Sequence, residues 1–207
     1  MEFVAVDNLS YNDTSFPITL EDVKFHSKWF YENADDATLD TYIQNFVIPQ
    51  AVKSFEIATG FLIQDQTYSA TINSLQSPIY QGFRAGLIHL NVRSVNDVLY
   101  FPCNWNGIDE RSILDTGSYI FTEASGNVAK HFYLKSCYLS FYEIENNIKV
   151  SYSAGYENND FTNIPKDIKN CLAMYSADLI DIKKGLCEGQ GQHDGWIRQT
   201  VNKYRRK

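Results

Sequence analysis

Val150-Ser151-Tyr152-Ser153-Ala154-Gly155-Tyr156, followed shortly by Ile164-Pro165-Lys166-Asp167-Ile168-Lys169, is where this chain changes period. Up to Ala154, polar and apolar side chains alternate, the two-residue repeat of a strand with one buried face. Beyond Pro165, Ile168, Leu172, Tyr175, Leu179 and Ile182 recur at three- and four-residue spacing, which predicts a helix. Pro165 suits the first helical position, where no N–H is needed, and Gly185 closes the stripe.

Working back from Val150, short strand-like runs fill residues 65–155. They include Thr67–Ile72, Gly86–Val92, Val98–Phe101, Tyr119–Phe121, His131–Leu134, Tyr138–Phe141 and Ile148–Tyr152, punctuated by Gly, Asn, Asp and Pro. Such a pattern predicts an antiparallel β region, a small sandwich or barrel-like sheet. Further back the period returns to that of helices. Thr19 before Leu20-Glu21-Asp22 has the spacing of a capping box and predicts a short helix over about 20–30. Asp35 and Asp36 offer an N-cap for Leu39, Ile43, Phe46, Val47, Ala51, Phe55 and Ala58, ended by Gly60. Pro49 falls inside that run and is expected to kink or split it. Forward from Gly185 come a Gly- and Gln-rich loop at Glu188–Gln192, expected to be mobile, and a last helix begun by Asp194.

The order is helices, strands, helices. It predicts an α+β fold, a small helical bundle made by N-terminal and C-terminal helices and holding an inserted antiparallel β-rich domain. The expected boundaries are residues 18–64 with 163–207 for the helical core and its C-terminal docking segment, 65–156 for the β-rich insertion, and 1–17 for an N-terminal arm. In a chain of 207 residues with 44% hydrophobic residues, such a core is sustainable without staples.

The net charge is −7, opposite to what gripping phosphates requires. It still suits a passage through which DNA slides without sticking. No apolar run approaches a membrane span, and the N-terminus shows no signal-peptide pattern. Cys103, Cys137, Cys171 and Cys187 form no CxxC pair and are expected as reduced thiols.

A search for reaction chemistry finds little. His26, His89, His131 and His193 make no HxH, HxxxH or HExxH spacing, and no metal or cofactor is expected. His89 and His131 fall in strands, where a hydrogen-bonded structural role is the commoner one. Glu143 with Glu145, and Asp178 with Asp181, are spaced to share a face, but no base, nucleophile or glycine-rich loop accompanies them. No catalytic residue is therefore assigned, and the chain is not expected to be an enzyme. The C-terminal segment carries more. Trp196, Ile197, Val201 and Tyr204 align on one side of a helix that ends in Arg205-Arg206-Lys207. These residues, with Arg205 and Arg206, are the candidate partner-docking set. Removing 194–207 is expected to abolish docking while the core still folds.

Four stretches, in order, resemble the head-tail connector (head-completion adaptor) proteins of tailed bacteriophages, in the long form with a β insertion. Ile18-Thr19-Leu20-Glu21-Asp22-Val23-Lys24-Phe25-His26 is similar to that family's opening S/T-L-x-E-A-K-x-H-L. Ala34-Asp35-Asp36-Ala37-Thr38-Leu39 through Ala58-Thr59-Gly60-Phe61 is similar to its D-D-x-L and x-T-G-R segments, with Phe61 where the family often has Arg. Asn91-Val92-Arg93-Ser94-Val95 through Tyr100 is similar to its P-V-x-S-V strand. The opening stretch of this section is similar to its V-x-Y-x-A-G-Y and V-P-x-D-I-K.

This resemblance implies a structural virion protein of the neck, assembled in the bacterial host cytoplasm. It implies a ring of about twelve copies beneath the portal, contacts to the portal protein and to a downstream stopper or tail protein, and DNA passing through the lumen. It implies no membrane partner. Three other readings remain open at this point: another neck or tail-completion (stopper) protein, a carbohydrate- or receptor-binding β module, and a hydrolase using Glu143 or Asp178, around which no supporting constellation stands.

Overall fold

A computed structural model describes residues 3–11, 15–32, 37–72, 84–101, 111–123, 129–134, 148–186 and 191–205. The expected N-cap at Asp35 and Asp36, the strand at Tyr138–Phe141, Glu143, Glu145, Cys103, Cys137, Cys187, Glu188–Gln190 and Arg206 lie outside the described residues. The fold is α+β. The chain divides into two compact units: Met1–Asn12 with Gln64–Glu157, and Asp13–Ile63 with Asn158–Lys207.

The first unit holds the described strands. They are β1 (Phe3–Tyr11), β2 (Gln66–Ile72), β3 (Arg84–Leu90), β4 (Val92–Tyr100), β5 (Ser112–Ile113), β6 (Tyr119–Glu123), β7 (Ala129–Leu134) and β8 (Ile148–Ala154). Among the described residues they make a five-stranded sheet ordered β1-β2-β8-β4-β5 and a three-stranded sheet ordered β3-β7-β6. Every pairing is antiparallel. The alternation read at 148–154 places Ile148, Val150, Tyr152 and Ala154 on the buried face of β8.

Two sequence expectations change here. Residues 3–11, expected within an arm, form edge strand β1, in register from Phe3 opposite Ile72 to Tyr11 opposite Gln66. The strand expected across Gly86–Val92 breaks at Asn91, whose φ of 60° ends β3 and starts β4. Asn tolerates that left-handed conformation better than most residues. His89 in β3 and Tyr152 in β8 then tie the two sheets through a 2.7 Å hydrogen bond between Nδ1 and the hydroxyl, with the Tyr68 ring tilted against the imidazole at 4.1 Å. His89 is thus the structural histidine that its place in a strand predicts.

Gly155, which ends β8, has φ +87° and donates its N–H to the Asn91 carbonyl at 3.0 Å. A Cβ there would lie 1.8 Å from the Gln64 carbonyl oxygen.

The second unit holds the described helices. Helix α1 (Leu20–His26) begins with the capping box read in the sequence. Asp22 N–H donates to Thr19 Oγ1 at 3.2 Å, and Thr19 N–H donates back to Asp22 Oδ2 at 2.8 Å. The helix stops at Ser27, short of the expected end, and α2 (Lys28–Glu32) follows.

The run expected as one helix is split into α3 (Ala37–Tyr42), a wide π turn at Ile43–Val47, and α4 (Ile48–Thr59). Pro49 is the cause. Its ring would clash with the carbonyl one turn back, and widening that turn lets Ile48 N–H reach Ile43 O instead. Gly60 closes α4 at φ 72°, donating to Glu56 O at 2.8 Å. Buried Glu56 accepts the Ile63 N–H at 2.8 Å, and buried Thr59 accepts the Phe61 N–H at 3.0 Å, so the turn after the helix is stitched to its last residues.

Helix α5 (Lys166–Lys183) is the hub, with α1, α2, the π turn, α4 and α6 (Asp194–Tyr204) all packed on it. Pro165 sits just before its first residue. Ile168, Leu172 and Ile180 are buried, whereas Ile182, expected on the buried stripe, is exposed. Gly185, at φ 74°, ends α5, with Leu186 N–H reaching back to Asp181 O at 2.9 Å.

Gly155→Ala tests the crossing of chain at the end of β8. A side chain there meets both a left-handed backbone and the Gln64 carbonyl, and a loss of about 2–3 kcal/mol in unfolding free energy is expected by chemical denaturation.

Candidate functional site

Of the candidate docking residues, Trp196, Ile197, Val201 and Tyr204 lie on α6 and Arg205 follows it, and α6 is set in place from both ends by acids of α5. At its start, Asp178 is buried and accepts from His193 twice, from the backbone N–H at 3.1 Å and from Nδ1 at 2.7 Å. Gly191 passes so close that a Cβ would lie 1.9 Å from Asp178 Oδ2. At its end, Tyr204 donates its hydroxyl to Asp167 at 2.9 Å, and Lys203 pairs with the same carboxylate. Burial pushes the Asp167 carboxyl up, but hydrogen bonds from Lys203 and Tyr204, with the charge of Lys203, outweigh it and leave its pKa below the ordinary value.

A third acid of α5, Asp181, is fully buried. It accepts from Ser27 Oγ at 2.7 Å, Lys28 N–H at 2.9 Å and Trp29 N–H at 3.1 Å. It thus supplies acceptors for the otherwise unsatisfied first amides of α2. Asp178 and Asp181, spaced in the sequence like a polar face, are the buried anchors of two helices.

The docking candidates are not all on one free face. The Tyr204 ring packs 5.4 Å from Phe61 and 6.3 Å from Phe55, inside its own unit. Ile197 and Val201 are half-buried and line an open apolar cleft of about 230 Å³ with Ser54, Phe55, Ala58, Cys171, Leu172 and Tyr175. Thr200 is buried. Trp196 is 37% exposed and Arg205 is exposed, so these two remain available to a partner. Because α6 is part of the bundle, deleting 194–207 also removes packing from Phe55, Phe61 and the cleft.

The sequence reading missed other exposed apolar side chains: Phe25 on α1 (85% exposed), Phe46 in the π turn (61%) and Ile57 on α4 (75%). Phe46 was assigned to the buried stripe of a continuous helix. The π turn shifts the helical phase and turns it outward, where it stacks on Tyr42 at 5.6 Å. Phe25 could have been found from α1 alone, since Val23 fills the buried side.

The chemistry available here is limited. Among the described residues no group of three or more His, Cys, Asp or Glu is placed to hold a metal ion. The Cys171 thiol in the cleft is pushed up to about 12 by burial and then by the Asp167 charge, so it is a poor nucleophile at neutral pH. His131 lies in β7 of the first unit. His26 meets His193 edge to face, with ring centroids 5.8 Å apart, and Gln192 Nε2 donates to the His26 carbonyl at 3.1 Å. Burial pushes the His26 pKa below 6.5, the His193 charge adds to this, and Asp22 opposes it. Among the described residues no helix is long and apolar enough to cross a membrane.

No protein-family model matches the sequence, and no curated protein compared with it is similar. Solved structures do share its fold. A chain in the neck of an empty gene transfer agent particle, computed with C6 symmetry, matches with a TM-score of 0.70 at 10% identity, covering 99% of this chain and 96% of that one. A chain in the virion of a native gene transfer agent particle matches at 0.69 and 9% identity over the same shares. A chain in the neck of a native particle, computed with C12 symmetry, matches at 0.63 and 11% identity, again over 99% and 96%. At these identities the likeness is one of fold, and it agrees with the connector fold that the sequence motifs resemble.

Two measurements test the site. Asp181→Ala leaves three donors at the α1–α2 junction without their acceptor, and a loss of about 3 kcal/mol is expected in chemical denaturation. Because folding lowers proton binding at His26, its contribution to stability is complete above pH 6.5 and is lost as the pH falls below that value. The unfolding midpoint should drop between pH 7.5 and pH 5, and His26→Gln should flatten that slope.

Proposed function

We propose that this chain is a subunit of the neck ring of a phage-like virion, an adaptor that docks under the portal and forms part of the DNA conduit to the tail. One observation carries most of this: nearly the whole chain, both units included, has the fold of chains from gene transfer agent necks. The order of motifs in the sequence supports it independently. The symmetry of those neck reconstructions supports a ring, in which one surface of each copy meets a different surface of the next.

The physical properties fit a part that works by contact. Large apolar side chains stand exposed on the helical unit, as interface anchors do. Net negative charge favours passage of DNA without adhesion. The paired helical bundle favours the adaptor over a β-dominated stopper. The whole-length match favours a neck protein over a glycan-binding β module. Portal docking is assigned to Trp196 and Arg205, the candidates of α6 left exposed.

The test is binding to the cognate portal, followed by electron microscopy of the complex. A ring coaxial with the portal channel is expected. Trp196→Ala with Arg205→Glu should weaken binding about tenfold or more without lowering the unfolding midpoint. Portal binding at full strength by the double variant would remove α6 from the interface, and no binding by the unaltered protein would remove the adaptor assignment itself.

A further inference from the structure

We propose that neighbouring copies join by a knob and a socket on different faces of the helical unit. Phe25 of one copy enters the cleft between α4, α5 and α6 of the next. This inference rests on the ring assignment above and deepens it by naming the contact.

The knob is the most exposed large apolar side chain described, at 85%. Its described ring contact is His26, its own neighbour in sequence, edge to face at 5.1 Å. It stands on α1, which Thr19 and Asp22 cap and which buried Val23 and the Asp22–Lys169 ion pair tie to the bundle. A rigid, exposed aromatic is the kind of side chain that anchors interfaces, because little conformational freedom is lost when it is covered.

The socket is the cleft of about 230 Å³ lined by Phe55, Ala58, Leu172, Ile197 and Val201. A cavity of roughly 150 Å³ accepts benzene, so a benzyl group fits here with room to spare. The lining is almost wholly apolar, and the inert Cys171 thiol adds no competing polarity. Ala58 is exposed at the mouth, and the exposed Ile57 extends the apolar surface beside it. The margins match in charge: Glu21 is exposed one turn before Phe25, and Lys53 is exposed on α4 next to Ser54.

Within one copy Phe25 stays outside the cleft, 85% exposed. On α5, Lys169 and Asp181 face α1 and the start of α2, whereas Cys171, Leu172 and Tyr175 face the cleft. At 3.6 residues per turn the two sets occupy different sectors of α5, their nearest members, Lys169 and Leu172, about 60° apart. A contact between two different surfaces is heterologous, and repeating it around an axis builds a ring.

The test uses the full chain with Phe25→benzoylphenylalanine, illuminated at high concentration and mapped by mass spectrometry. Expected is a ladder of covalent multimers whose cross-links join position 25 to 54–58 or 197–201 of another copy. Phe25→Ala and Ala58→Trp, both at exposed positions, should each weaken self-association about tenfold or more with the unfolding midpoint unchanged. Mixed together, these two variants should form dimers that do not extend, because one intact knob meets one open socket. Cross-links that map elsewhere, capture of the portal instead of a second copy, or unimpaired rings of Phe25→Ala would overturn the pairing and leave the ring standing. A chain that stays monomeric and uncross-linked would also overturn it, and portal binding then decides the neck assignment separately.

Discussion

Buried carboxylates on α5 hold the helical unit together. Asp181 receives the first amides of α2 and the Ser27 hydroxyl, while Asp178 receives the backbone and ring of His193 at the start of α6. A helix of five residues such as α2 has no stability of its own, and it persists because its amides end on a fixed acceptor. The same acids would be costly to bury if unmatched, so each ties its partner segment to one geometry. The positions of α1, α2 and α6 around the hub follow from this.

That arrangement decides which apolar groups are used internally and which are left for others. Tyr204 and Thr200 are taken up by the bundle, and Ile197 and Val201 are half covered. Phe25, Phe46, Ile57 and Trp196 are left outside. A scatter of single apolar side chains needs no explanation, but here they sit on helices whose backbones are pinned by capping, an ion pair or packing. Pinned aromatics lose little freedom on being covered, which is the property an assembly contact requires.

Local signals were legible in the sequence, and long-range ones were not. The Thr19–Asp22 box, the Gly60 and Gly185 endings and the alternation of β8 depend on neighbours within a few residues, and each formed where it was read. Pro49 announced an interruption but not its form, because a π turn and a kink both relieve the same clash. Residues 3–11 gave no clear alternation, and their partner strand begins at Gln66, so the pairing was invisible locally. For α6 the apolar face was evident, whereas its engagement by Phe55, Phe61 and Asp167 depends on residues far away in sequence. Asp178 and Asp181 illustrate the same limit, since acids three apart on a helix look alike whether they face water or cap another helix.

Strand β1 pairs with β2 across the whole first half of the helical unit, and β2 in turn pairs with β8. The helical unit likewise needs α5 and α6 from the far end. During synthesis, then, β1 waits for β2 and β8, and the helical unit lacks its hub and α6 until residues 166–204 have been made. Loop closure over such spans is slow relative to forming local helices. A chain cut before residue 166 therefore lacks both the hub and α6. Such fragments cannot close the helical bundle, so the interleaved layout makes the last-made helices the step that completes it.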